Sequence, residues 1–402
     1  MATTTDMLSP PAAPSPIEWL RKNLFGDIFN ALLTIVSLVF ILFALAAIAR
    51  WAFFTADWRP VTVAPLLYLV GQYPRGELWR PGLSLLASTF LLGMSWGVWE
   101  RYVKAFAIFI GALLGILALI PLEAASITLA VRAAFLANPI LIYLGYRIGR
   151  LPAVSGRHVF MLWLVASVLI TLVLLPGIQG VPALPKIATT AWGGLMITLL
   201  LAVGGIVLSF PIGVFLALGR RSSLPVVKVF CIAFIEAVRG VPLVTLLFMF
   251  SIMLTLFLPP QARIDRLVRA LIAMVLFSAA YTAENVRGGL QAIPPGQVEA
   301  AKAVGLNNFH ITTFIVLPQA LRLVIPAIVG QFISLFKDTT LVVIVGINDL
   351  LGIGNAVLNL NPEFVRLQME VYLFIAAIFW VFSYFMSYAS QQLERALGVG
   401  ER

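Results

Sequence analysis

Ala292-Ile293-Pro294-Pro295-Gly296-Gln297-Val298-Glu299-Ala300-Ala301-Lys302-Ala303-Val304-Gly305-Leu306-Asn307-Asn308 is a long non-apolar break between two apolar runs, 266–290 and 311–337. Pro294-Pro295 ends whatever helix precedes it and suits the first position of the next. Val298 to Val304 are good helix formers, and Gly305 is suited to a C-terminal cap. The stretch predicts a short surface helix with small Ala300, Ala301 and Ala303 open to a close approach. Glu299 is expected near its positive end, where a carboxylate is favoured.

Outward from this break the chain is apolar. Of 402 residues 61% are hydrophobic and 11% charged, with a mean hydropathy of +1.01. A soluble particle with so few charges cannot cover its surface, so a soluble enzyme, a disordered chain and a secreted disulfide scaffold are excluded. The fold class is an all-α integral membrane protein. A span needs about 20 residues, and ten segments qualify: 29–54, 83–99, 104–122, 124–146, 159–177, 190–218, 225–258, 266–290, 311–337 and 371–390. The run 225–258 exceeds one straight span and is broken by Gly240 and Pro242, near mid-membrane. The Gly/Asn-rich stretch 339–360 reads as a re-entrant or interfacial excursion.

The net charge of +10 does not signal nucleic acid here; it reports basic loops on the cytoplasmic side. With the N-terminus inside, fourteen Lys/Arg fall in cytoplasmic loops and seven, including Arg75, Lys186 and Arg266, on the other side. Both termini are therefore expected in the cytoplasm. Residues 1–28 form a tail, with no cleavable signal peptide expected. Residues 29–185 form an extension of five spans, 186–395 a second five-span region, and 396–402 a short tail; the Pro/Gly-rich 176–185 marks the boundary. Cys231, the one cysteine, reads as an inert buried thiol, and His158 and His310 are too few and too far apart for a metal cluster.

Charges inside spans are costly and face a cavity or a partner. Glu236 and Arg239 share a helical face and are placed to pair. Gly240 and Pro242 follow at once, and a broken helix commonly lines a substrate path. Tyr281, Glu284 and Gly288 form another stripe. Glu284 is suited to a substrate ammonium, and Arg239 or a helix end to a carboxylate. The plainer alternative stays open: Glu284 with Arg287, and Glu236 with Arg239, as pairs that hold helices together. There is no G-x-x-x-x-G-K-[ST] loop to cradle ATP phosphates and no catalytic constellation.

The spacing Glu299-Ala300-Ala301, Gly305, Ile315, Leu317-Pro318 resembles the EAA loop of type I ABC importer permeases at every signature position. Glu236-Ala237-Val238-Arg239-Gly240-Val241-Pro242-Leu243 and Ser278 to Leu290 are similar to segments of polar amino acid permeases, with Val241 where Thr is usual and one extra Ala. Phe336-Lys337-Asp338-Thr339-Thr340-Leu341 is similar to their K-D-T-S-L segment, and Asp338 and Thr339 join the candidate cavity. The resemblance covers about 190–395. Gly71 to Arg75 and Glu77 to Arg80 look like the extension of general L-amino acid permeases.

The resemblance implies a C-terminal five-helix permease core in a bacterial inner membrane. It implies that the 295–308 helix, with Glu299, Ala300, Ala301, Gly305, Leu317 and Pro318, couples to a cytoplasmic ATPase dimer that holds ATP and Mg. It also implies a second, related permease subunit, a periplasmic binding protein and an amino acid substrate. A membrane-embedded enzyme or scaffold, with the same helix bound to a non-ATPase partner, is the rival class.

Overall fold

The computed structural model describes residues 15–119, 129–257, 259 and 264–396. Two compact units are present, Met1–Trp58 and Arg59–Arg402. The first holds α1 (Pro16–Leu24), started by a Ser15–Glu18 capping box, and α2 (Ile28–Arg50). No residue of α2 is buried. A helix that is apolar all round needs a lipid solvent.

The second unit begins with the short α3 (Arg59–Thr62) and α4 (Pro65–Val70). Four long helices follow: α5 (Trp79–Val98), α6 (Glu100–Leu119), α7 (Leu129–Gly149) and α8 (Gly156–Leu169). Then come α9 (Gly194–Arg220), α10 (Pro225–Arg239), α11 (Leu243–Phe248), α12 (Leu254–Phe257), α13 (Arg266–Gln291), α14 (Pro295–Ala303), α15 (Asn308–His310), α16 (Leu317–Asp338), α17 (Leu350–Leu358) and α18 (Gln368–Ala396).

Among the described residues eight continuous helices are long and apolar enough to cross a membrane, nine if the bent pair is one span. That is fewer than the ten expected. The segment predicted at 124–146 is the one outside this set. It falls on α7, whose interior carries Arg132, Asn138 and Pro139, and 124–128 lie outside the described residues. The 225–258 run is no interrupted straight span. Gly240 caps α10 through a 2.9 Å bond to the Glu236 carbonyl, Pro242 is extended, and the chain turns by 106°. α17, nine residues and so about 14 Å long, is too short to cross, as expected for 339–360.

Helices in lipid gain nothing from burying apolar faces against each other, so small residues and polar contacts bring them together. α13 runs beside α9 through a Ser209–Ser278 hydroxyl bond of 3.1 Å and a close approach at Gly213, where a Cβ would lie 2.7 Å from that of Thr282. α5 and α7 meet through two Gly-x-x-x-Gly pairs, Gly93/Gly97 and Gly145/Gly149. A Cβ on Gly93 would lie 2.1 Å from the Ile142 carbonyl oxygen, and one on Gly145 2.2 Å from that of Phe90. Thr89 donates to Asn138 Oδ1 across the same seam at 2.8 Å. Cys231 is buried and free, in keeping with an inert thiol.

Gly93→Val is therefore expected to force α5 and α7 apart at a cost of about 1–3 kcal/mol. Gly82→Ala on the same helix, where an added Cβ meets nothing within 4 Å, leaves stability unchanged. Thermal unfolding of the purified chain checks both, and equal midpoints contradict the seam.

A second expectation concerns Asp349, which lies outside the spans. It caps α17 by accepting from Gly352 N at 2.9 Å, while its Oδ2 is buried with no hydrogen-bond partner. Burial pushes its carboxyl up from 3.8 to about 6, against the lowering by the backbone bonds. An acid raised in the folded state is destabilising when ionised. The fold is therefore weaker above pH 6 and regains stability as pH falls from 6 toward 4. Asp349→Asn keeps the cap. It is expected to raise the melting point at pH 7.5, by up to about 3 kcal/mol in stability, and to flatten this pH dependence.

Candidate functional site

The long break folds as predicted, into α14. Pro295 occupies the first helical position. At the other end Gly305 has φ +82°, Gly305 N donates to the Lys302 carbonyl at 2.9 Å, and Leu306 N donates to the Ala301 carbonyl at 3.1 Å. This is a complete Schellman stop. Ala301 is buried and Leu306 packs against the same cluster, formed with Val286, Leu290, Ile311 and Val316. Glu299, Ala300 and Lys302 stay exposed. Leu317 packs beneath this cluster and Pro318 opens α16. Glu299 corrects one expectation: it is the fifth residue of α14, past the first turn, so the helix end does little for its charge.

Above α14, three helix ends converge. Arg220 and Arg239 are the last residues of α9 and α10, and Glu284 lies two turns before the end of α13. Glu284 receives three guanidiniums. Arg220 Nη1 and Arg239 Nη1 approach its Oε2 at 3.4 Å each, and Arg287 Nε donates to both oxygens at 3.0 Å while its Nη2 makes a further close contact. Arg220 Nη1 also binds Glu236 Oε1 at 3.0 Å. The expected Glu236–Arg239 pair is absent: each turns to a different helix, Glu236 to Arg220 and Arg239 to Glu284. The Arg239 guanidinium covers the Tyr281 ring at 5.5 Å. Arg221 Nη1 donates to the Leu290 carbonyl at 3.2 Å and ties α9 to the end of α13.

The structure thus brings Glu236, Arg239, Gly240, Tyr281 and Glu284 together, on the α14 side of the bundle. It does not bring Asp338 and Thr339 there. They end α16, about 27 Å along its axis from Ala320, which touches Gly289 of α13. Thr339 is fully buried and its hydroxyl is spent on the Phe336 carbonyl at 2.7 Å. Sequence reasoning missed Arg220 and Arg221 as site residues. Their position at the end of a span pointed to a loop, and only the convergence of α9, α10 and α13 turns Arg220 inward.

Residues 209–399 match the family described as "Binding-protein-dependent transport system inner membrane component". The inner membrane amino-acid ABC transporter permease protein YhdY of Escherichia coli is 35% identical across 99% of both chains. The chain belongs to the amino-acid ABC transporter permeases. A second full-length relative, the glutamate/glutamine/aspartate/asparagine transport system permease protein BztC of Rhodobacter capsulatus, is 36% identical over 98% of this chain and 97% of its own. The probable glutamine ABC transporter permease protein GlnP of Bacillus subtilis is 34% identical over 50% of this chain but 91% of its own length. This chain is thus an inner-membrane permease component with a C-terminal permease core and additional N-terminal helices. In this family ATP is bound by partner ATPase subunits.

Removing the central anion tests the cluster. Glu284→Gln leaves Arg239 and Arg287 without an ion-pair partner and only Arg220 paired, with Glu236. The groups are only partly buried, which places the expected loss at about 1–3 kcal/mol, below that of a fully buried pair. Arg239→Gln in the same chain restores part of it. A double-mutant cycle on melting points measures the coupling, and additive effects contradict the network.

Proposed function

We propose that this chain is a translocating subunit of an importer for a broad range of L-amino acids, and that α14 couples it to a separate ATPase dimer. The observation that carries this reading is the construction of α14. A proline start, a full Schellman stop and a buried Ala301 hold it rigid, while Glu299, Ala300 and Lys302 stay open to a partner. A push on α14 reaches α13 and α16 through Leu290, Val316 and Leu317.

In the proposed cycle ATP and Mg bind the partner ATPases and draw them together. The coupling helices follow, and access to the pathway alternates between the two sides of the inner membrane. A related permease chain completes the pathway and a periplasmic binding protein delivers the amino acid. The end carrying α14 and both termini face the cytoplasm. Core and extension divide near residue 185, in keeping with the half-length match. Glu236, Arg239, Gly240, Tyr281 and Glu284 line the inner end of the pathway; Asp338 and Thr339 belong to the outer end. The inner group holds three arginines, Arg220, Arg239 and Arg287, against two glutamates, a net of 3 − 2 = +1. Glu284 is already neutralised there, so the substrate's carboxylate is favoured over its ammonium.

Gly305→Asp places a side chain at φ +82° and a carboxylate at the negative helix end. Glu299→Lys reverses an exposed charge. Both variants are expected to insert and assemble normally but to lose most amino acid uptake. The measurement is uptake at matched complex levels, and wild-type rates in both remove the coupling role from α14.

A further inference from the structure

The end of the bundle opposite α14 holds a feature that neither the coupling helix nor the charged cluster uses. A cavity of about 370 Å³ opens there, lined entirely by residues from the single segment 63–78, among them Val63, Leu67, Val70, Gln72 and Arg75. At about 30 Å³ per water, it has room for a large side chain. The segment is anchored from behind. Tyr73 is buried and donates to the Leu175 carbonyl at 2.8 Å, and a Cβ on Gly71 would strike Gly193 N at 2.5 Å. Just after the cavity, buried Arg80 binds Glu77 Oε2 at 2.9 Å and donates to the Pro185 carbonyl at 2.9 Å. So the cavity is rigid, and its rim residues Gln72 and Arg75 are exposed.

The charges around it are unbalanced. The described loops of this end expose Arg59, Arg75, Lys186, Arg266 and Arg366 around the carboxylates Glu77, Asp265 and Glu363. Each of these carboxylates is engaged: Glu77 by Arg80, Asp265 by Thr189 at 2.8 Å, Glu363 by Arg59 at 3.5 Å. The side chains of Arg75, Lys186 and Arg366 have no hydrogen-bond or ion-pair partner among the described residues. A recess with the unspent cation Arg75 at its rim, on an end that exposes further unspent cations, fits an acidic protein surface that inserts one side chain.

We infer that the 63–78 recess is a docking socket for the extracytoplasmic binding protein, with Arg75 receiving a carboxylate at its rim. The inference rests on the importer reading and its orientation; it adds a task for the N-terminal extension. The family's dependence on a binding protein supplies the partner, and the positive rim supplies the chemistry by which an acidic face is recognised.

The test uses the assembled importer in lipid nanodiscs, with ATP hydrolysis followed as its substrate-loaded binding protein is titrated. Arg75→Glu reverses the rim charge, and Ala64→Phe fills the recess without changing charge. Both are expected to raise the half-maximal concentration of binding protein by about tenfold, a change typical of a lost rim contact, while the plateau rate stays. The effect of Arg75→Glu shrinks at high salt and that of Ala64→Phe does not. An unchanged half-maximal concentration in both variants overturns the socket. So does an effect that follows the anionic lipid content of the nanodisc, which assigns the recess to lipid headgroups. Absence of any stimulation of the wild-type complex is a different failure, since it removes the importer reading itself.

Discussion

In a bilayer, apolar helix faces gain nothing by leaving lipid for each other, so every close helix contact must come from small residues or satisfied polar groups. That constraint falls hardest on α13. Two thirds of its apolar window, 67%, is buried, against 39% for α9 and 22% for the helix run containing α16. Ser278 and the facing Gly213 let α9 approach, and Gly289 lets α16 approach, since a Cβ on Gly289 would lie 2.5 Å from the Ala320 carbonyl oxygen. α13 is therefore the post on which the bundle is hung. Whatever is attached to its end inherits that fixed position, and α14 is what is attached.

The charged cluster follows from the same geometry. Arg220 and Arg239 close α9 and α10, where the negative helix ends favour cations. Glu284 sits between them because α13 passes both. Five charges in a partly buried place are costly to desolvate one at a time. Gathered around Glu284, with Glu236 also on Arg220, they offset one another to a net of +1, and the same bonds lock three helix ends together just above α14. A network of discrete ion pairs of this kind can rearrange between distinct pairings but resists continuous bending.

Much of this is written in local sequence. Hydropathy marks the spans, Pro294-Pro295 and Gly305 mark the bounds of α14, and the spacing from Glu299 to Pro318 marks its kind. What sequence leaves open is every choice between partners. Glu236 and Arg239 lie on one helical face, so local rules pair them; a tertiary partner wins for each because three helix ends meet. Gly93-x-x-x-Gly97 and Gly145-x-x-x-Gly149 are visible as patterns, but nothing local says that they face one another. Asp338 and Thr339 joined Glu284 in the candidate cavity through the resemblance of their segment alone, which carries no distance between them. Their separation appears only once α16 is laid along α13. The bend after Arg239 was legible as a break and illegible as an angle, since Gly240 and Pro242 permit a turn and the packing of α11 sets its size.

The extension raises a different physical question, because a half-length relative matches the core alone. Helices that a core can do without must bind it by their own contacts, and here those contacts have a direction. Phe106 and Phe109 of α6 stack on Phe385 of α18 within the spans, at 5.7 and 4.5 Å. The polar ties lie elsewhere: Arg80 reaches the Pro185 carbonyl, and Gly71 bridges to Trp192 just before α9 begins. Both belong to the end remote from α14, where buried Tyr68 and Asp349 also border Gly194. Apolar stacking can slide, whereas directional bonds to backbone carbonyls fix register. The extension is thus held to α18 by apolar ring contacts along the spans and fixed in register by polar bonds at the end remote from α14.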